Sequence, residues 1–155
     1  TGPLLLIAID DLTGADNVGT VARNGLAFGA DALILGDTCC SAWLRKAVRT
    51  SMGTVFKLPI IESDSLPKTL RQLRESGIQI VAAHAHTDDH ALSKIDLTGH
   101  TCLVLGAEGN GIRDEVLAEC PKHAIVPMNN AVDSLNVGSA GAVFLYEVAR
   151  QRGLV

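Results

Sequence analysis

DSLNVGSAGAVFLYEVAR, Asp133 to Arg150, opens on small polar residues and runs directly into an apolar segment at helical spacing. Ser134 and Asn136 therefore stand where a helix begins, beside backbone N–H groups that have no carbonyl partner within the helix. Such a corner is suited to holding a polar ligand. Two corners of the same character lie upstream, GAEGNG at Gly106 to Gly111 and NVGTVAR at Asn17 to Arg23. All three are polar and glycine-punctuated, and they are expected to converge on one site.

Outward from these corners, short apolar runs alternate with helical patterns. Leu4–Ile9, Ala32–Leu35, Val55–Ile60, Ile78–Ala83, Cys102–Gly106 and Ala124–Val126 read as strands. Pro59 puts the third of these near its end or at a sheet edge, because proline cannot donate to a ladder. Helices are predicted at Asn17–Phe28, Ala42–Thr50, Pro67–Glu75, Ile112–Glu119 and Leu135–Gln151. Val18, Val21, Ala22 and Leu26 give the first its apolar face, Asn17 is a candidate cap, and Gly29 stops it. Pro67 in the first turn and Gly77 past the end bound the third. This alternation predicts a single α/β domain over residues 1–155, with a parallel sheet covered by helices on both faces. Ligands of such sheets bind beyond the carboxyl ends of the strands. The stretch His84–Ala91, containing HAHTDDH, is the most loop-like and a candidate rim.

Composition narrows the functional classes. The 155 residues are 47% hydrophobic with 15 glycines, enough for one folded core and unlike a disordered chain. Aromatics make up 3%, which argues against a stacking platform for single-stranded nucleic acid. The apolar runs are far shorter than a membrane span, so no membrane partner is expected. Cys39, Cys40, Cys102 and Cys120 form no CxxC pair and fit small core residues in a reduced, cytoplasmic setting. The net charge of −4 does not advertise a nucleic-acid binder, but its distribution is uneven. Arg45, Lys46 and Arg49 cluster, Lys57 follows, and Asp37 is the sole acid between Ala32 and Ile61. A local basic face or an ordinary solvated helix face both fit.

The polar corners themselves exclude several chemistries. GAEGNG does not follow the GxGxxG order, and no Lys follows its last glycine, so neither a dinucleotide fingerprint nor a Walker loop is present. A tight strand-to-helix turn explains Gly109 and Gly111 but not Glu108, an acid between glycines that needs a partner. Arg23 lies within a helix among apolar neighbours; it is either a surface residue with a snorkelling stem or the partner of an anion. Glu108 is its natural partner if the two corners meet. His84, His86 and His90 with Asp88 and Asp89 hint at a metal, but no further Cys/His pattern completes a site, and none is expected. There is no GxSxG elbow for a serine hydrolase.

In this order and at these spacings, Asn17, Gly19 and Arg23, then LGAEGNGI, then VPMNNAVDSLNV resemble the motifs of the SpoU/TrmH RNA ribose 2′-O-methyltransferases, a family of the knotted SPOUT class. The resemblance spans essentially the whole chain. It implies a C-terminal trefoil knot, a homodimer with active sites at the interface, and S-adenosylmethionine as cofactor. It implies that backbone groups around Ala83, Leu105, Gly106, Gly109, Val126, Met128 and Leu135 hold that cofactor. It further implies that Arg23 acts on the ribose of a tRNA or rRNA nucleotide, with Asn17, Glu108, Ser134 and Asn136 orienting it. A guanidinium is a poor base, so binding of the adjacent phosphate and electrostatic stabilisation of the developing alkoxide fit Arg23 better. Arg45, Lys46 and Arg49 are the expected RNA contacts. The sequence departs from the family after SLNV, where Gly138 precedes Ser139. Most members also carry an additional RNA-binding domain or helical extensions. The early first motif leads to the expectation of such a domain preceding residue 1, the alternative being a minimal enzyme relying on its dimer and basic face. Two other functions stay open: a non-catalytic RNA-binding protein on the same fold, and an α/β enzyme for a small phosphorylated metabolite.

Overall fold

Strand β1 (Leu5–Asp10) is buried along its whole length, as a strand flanked by others and covered on both faces must be. A computed structural model of the chain describes residues 2–85, 90–129 and 132–155. His86 to Asp89 of the histidine-rich stretch, and Asn130 and Ala131 of the third motif, lie outside the described residues. Seven strands form one sheet: β1, β2 (Ala32–Leu35), β3 (Ile60–Glu62), β4 (Gln79–Ala83), β5 (His90–Ala91), β6 (Thr101–Gly106) and β7 (Lys122–Ile125). Their order is β3-β2-β1-β6-β4-β7-β5, and every pairing is parallel, as expected. The helices are α1 (Ala15–Ala27), α2 (Arg45–Thr50), α3 (Leu66–Glu75), α4 (Asp114–Leu117) and α5 (Val137–Gln151).

Alternation along the strands divides the core in two. Ile7, Ile9, Leu33, Leu35, Leu103 and Leu105 point to one face and pack with Val18, Val21 and Ala22 of α1 and Phe144, Leu145 and Val148 of α5. Leu6, Ala8, Ile34, Ile80, Cys102 and Val104 point to the other and meet Leu66 and Leu70 of α3 and Val116 of α4. The inner strands β1, β2, β4 and β6 therefore bury both sets of side chains, which is why their sequences read as nearly continuous apolar runs. Cys102 and Cys120 are buried, whereas Cys39 and Cys40 are only half-buried. Among the described residues no helix is long and apolar enough to cross a membrane.

Helices α2 and α5 start at Arg45 and Val137 rather than Ala42 and Leu135, α4 is shorter than the expected Ile112–Glu119, and three further elements differ from expectation. Val55–Ile60 is not a strand: Thr54–Phe56 forms a 3-10 turn, and pairing starts after Pro59, at Ile60. Met52 and Gly53, both at positive φ, reverse the chain there, and Pro59 contributes only its carbonyl, accepting from the Leu33 N–H. The strand is at the sheet edge, as Pro59 required. Helix α1 starts two residues before Asn17, with Gly14 as its cap, so Asn17 sits in the first turn and is free for another role. Strand β5, formed by His90 and Ala91, lies in a stretch that carries no strand pattern in the sequence.

Candidate functional site

The three corners meet at the carboxyl ends of β1, β4, β6 and β7. Gly106 closes β6 opposite Asp10 of β1. A Cβ on Gly106 would lie 2.5 Å from the Gly111 carbonyl carbon and 2.6 Å from the Ile112 nitrogen, so only glycine lets the following loop fold back this closely. Gly111 N donates to the Ala107 carbonyl at 2.9 Å, closing that loop into a tight turn. Gly109 takes φ +86°, which a side chain would strain.

Glu108, at the tip, meets α5. Its Oε1 accepts from Asn136 Nδ2 and, at 3.3 Å, from Val137 N. Asn136 Nδ2 also donates to Asn17 Oδ1 at 3.2 Å. Asn136 Oδ1 accepts from Gly138 N at 2.9 Å and caps α5, which therefore starts at Val137 rather than at the expected Leu135. Helices α1 and α5 touch closely here. Asn24 Nδ2 donates to the Gly138 carbonyl at 2.8 Å, and a Cβ on Gly138 would come within 2.5 Å of Thr20 Cγ2. The departure at Gly138 thus serves the α1–α5 crossing.

Beside this junction lies a cavity of about 320 Å³. Ala83 from β4 and Leu105, Gly106 and Gly109 from the β6 loop line it, as do Val126 and Met128 beyond β7 and Leu135 before α5. Glu108, Ser134 and Phe144 also line it. Every residue expected around a cofactor therefore borders one space.

Arg23 does not. It is exposed on α1, makes no hydrogen bond or ion pair to any described residue, and does not line the cavity. The corners of Glu108 and the first motif do meet, but Glu108 engages Asn136 and the α5 N-terminus rather than Arg23. The carboxylate takes the nearby donors that α5 presents, leaving the guanidinium outward. Arg45, Lys46 and Arg49 are exposed on α2, which packs on α1: a Cβ on Gly19 would overlap the Thr50 hydroxyl and the Ala47 carbonyl.

A buried ion pair underlies the site and was not anticipated. Asp10 is fully buried, and Arg113 donates to its Oδ1 through Nε at 2.9 Å and Nη2 at 2.7 Å. Asp10 Oδ2 accepts the Arg113 backbone N–H at 2.8 Å. Arg113 also reaches Asp37 Oδ1 at 3.2 Å. Its pKa is raised, first by the hydrogen bond to Asp10, so it stays charged. Asp37 is held below the usual carboxylate range, chiefly by the Leu66 N–H and, against desolvation, by Arg113. The signal was present in the sequence: an acid ends the apolar run LLLIAID, and an arginine directly follows GAEGNGI. A charge at a buried strand end demands a counter-charge. Among the described residues no cluster of His, Cys, Asp or Glu is arranged to hold a metal.

Comparison with known proteins adds to this geometry. Residues 4–146 match the model of the SpoU rRNA Methylase family. A 23S rRNA (guanosine-2′-O-)-methyltransferase, RlmB from Yersinia pestis, is 37% identical over 152 residues, covering 98% of this chain and 61% of its own. An uncharacterised tRNA/rRNA methyltransferase of Mycolicibacterium smegmatis is 33% identical, covering 97% of this chain and 48% of that protein. The crystal structure of the SpoU methyltransferase AviRb from Streptomyces viridochromogenes, in complex with the cofactor AdoMet, superposes with a TM-score of 0.90 at 29% identity, covering 98% of this chain and 62% of that one. The chain spans about half to three-fifths of the length of these curated relatives.

Proposed function

The chain belongs to the SpoU rRNA methylase family, and on that premise we propose that it transfers the methyl group of S-adenosylmethionine to a ribose 2′-oxygen in tRNA or rRNA. The observation that carries this is a cavity bordered together by Ala83, Leu105, Gly106, Gly109, Val126, Met128 and Leu135, with Glu108 and Ser134 also lining it. In this proposal residues 1–155 form the catalytic domain, working on RNA in the cytoplasm.

The cavity suits the cofactor. Its volume is within the range of small-molecule sites. Gly106 and Gly109 bring bare backbone to the wall, and Leu105, Val126, Leu135 and Phe144 offer apolar sides to a purine. When bound, the cofactor supplies a methyl group already activated by the sulfonium charge. What the protein must do is orient the acceptor, exclude water and assist departure of the hydroxyl proton. Asn136 and Glu108 hold the α5 corner rigid against α1, and Ser134 presents its hydroxyl at the rim. Arg23 binds the phosphate beside the target ribose and stabilises the developing alkoxide, as an always-charged guanidinium can.

Because Arg23 lies outside its own chain's cavity, the proposal includes a homodimer in which Arg23 from a second copy completes the site. Val143 and Tyr146 of α5 are 39% and 50% exposed and give such a dimer an apolar contact face. It also includes the family's knot, for which the strand order β6-β4-β7 is suited: the chain leaves β4 for β6 and must cross back over β4 to reach β7.

The test is incubation with methyl-labelled S-adenosylmethionine and unmodified total RNA, followed by mapping of ribose methylation. Label on a 2′-oxygen is the expected result. Cofactor binding without transfer to any RNA would instead mark an RNA-binding protein on this fold, and absence of cofactor binding would point to a phosphorylated metabolite.

A further inference from the structure

Trp43 and Phe56 stack on the open surface, ring centroids 5.9 Å apart and planes 25° from parallel. Trp43 is 50% exposed, Phe56 69% and the adjacent Met52 72%. Met52 holds φ +53°, uncommon for a non-glycine residue, in the turn that carries its side chain to the surface. Leaving this much apolar surface together in water is unfavourable and marks a binding patch. Around it stand Arg45, Lys46, Arg49 and Lys57, all exposed and none ion-paired among the described residues. The one acid in this stretch, Asp37, is engaged by Arg113 and the Leu66 N–H.

We infer that this face is a platform for an unpaired stretch of RNA, with bases stacking on Trp43 and Phe56 and phosphates met by Arg45, Arg49 and Lys57. The inference rests on the RNA-methylating function proposed above and specifies the substrate as a loop or single strand. Duplex RNA buries its base faces, so it has nothing to lay on an exposed aromatic ring, whereas unpaired bases stack on such rings whatever their sequence. A second copy of the chain is a poorer occupant. A two-fold contact through this face would set each basic cluster against its own copy, and the like charges would repel. Aromatics are scarce in this chain, but two of its five lie here, stacked and exposed.

The platform is fixed to the proposed catalytic helix. Helix α2 packs on α1 at Gly19, and Thr50 Oγ1 donates to the Asp16 carbonyl at 3.3 Å, one residue before Asn17. Trp43, just before α2, is thereby tied to the helix that carries Arg23.

Trp43 is the only tryptophan, so its emission reports this face alone. The full chain is titrated with a twelve-nucleotide oligouridylate and, separately, with a blunt RNA duplex of equal length. Binding is followed in parallel by anisotropy of labelled RNA. Saturable quenching by the single strand and little by the duplex is expected. Phe56→Ala is expected to weaken single-strand binding roughly tenfold, as loss of one base stack does. Arg49→Ala is expected to weaken it with a shallower salt dependence. Cofactor affinity, measured by calorimetry, should be unchanged in both. Binding of RNA without quenching, or equal quenching by duplex, would overturn the inference. So would a change in Trp43 emission on dilution without RNA, coincident with dissociation of a dimer. Methyl transfer with a silent Trp43 would sink the platform alone. Absence of cofactor binding and transfer would sink the catalytic proposal, whatever Trp43 reports.

Discussion

Asn136 Nδ2 donates to Asn17 Oδ1 at 3.2 Å, joining two side chains 119 positions apart. The same amide nitrogen donates to Glu108, and its oxygen caps α5 through Gly138 N at 2.9 Å. One side chain thus ties the ends of α1, the β6 loop and α5 into a single corner, and does two separable things: it ends a helix and it bridges three segments.

Those roles come apart by substitution. Asn136→Ala is expected to cost about 1 kcal/mol, the usual loss of a helix cap, and to depress methyl transfer strongly. Asn136→Ser keeps a capping oxygen but has no amide to reach Asn17 and Glu108. It should restore most of the urea midpoint while transfer stays low; recovery of both together would show that the bridge is dispensable.

The Asp10–Arg113 pair joins the end of β1 to the N-cap of α4, with Asp10 fully buried and Arg113 largely so. Arg113→Met leaves a carboxylate without its counter-charge and should cost on the order of 3–5 kcal/mol. Combining it with Asp10→Asn should recover a large part, because an amide oxygen still accepts the Arg113 backbone N–H now bonded at 2.8 Å. Equilibrium denaturation of the four species gives the coupling directly, and additive losses would contradict the pairing.

The α1–α5 crossing depends on Gly138 facing Thr20, where a Cβ would stand 2.5 Å from Cγ2. Gly138→Ala should lower the thermal midpoint by several degrees, the shift expected of roughly 1–2 kcal/mol in a domain of this size. Thr20→Ser removes that methyl and should rescue the alanine variant while doing little alone.

Acid should weaken the last helix in a defined window. Glu147 is held at about 2, below its ordinary 4.5, first by its hydrogen bond to Arg150 and then by that to Gln151. A carboxylate depressed in the folded state stabilises it at pH above about 4.5, and the contribution fades as pH falls from about 4.5 towards 2. Thermal midpoints of Glu147→Gln should lie below wild type at pH 7 and approach it only as pH falls to about 2. A constant offset across that range would remove Glu147 from the account.

Much of this was legible from local pattern. The parallel α/β sheet followed from apolar runs alternating with helices, and a polar start to the last helix around Ser134 and Asn136 followed from small polar residues before an apolar segment, though the cap is Asn136 and the helix begins two residues later than Leu135. The three corners were recognisable as one site because their glycines and amides matched a family. What escaped was non-local. Whether Glu108 bonds Arg23 or Asn136 depends on how α5 packs against α1, which no single segment encodes. The turn at Thr54–Phe56 depends on Met52 and Gly53 at positive φ, which overrode the β-rich composition of Val55–Ile60. The ion pair Asp10–Arg113 was written as two isolated charges 103 positions apart, and only the register of β1 on β6 brings them together.

Arg23 tests the central claim most directly. Calorimetric titration with S-adenosylmethionine and label transfer to unmodified RNA, run side by side on wild type and Arg23→Ala, separate binding from chemistry. Equal cofactor affinity is expected in both, with ribose 2′-O-methylation by wild type alone. Near-normal methylation by Arg23→Ala, or no cofactor binding by wild type, would contradict that claim.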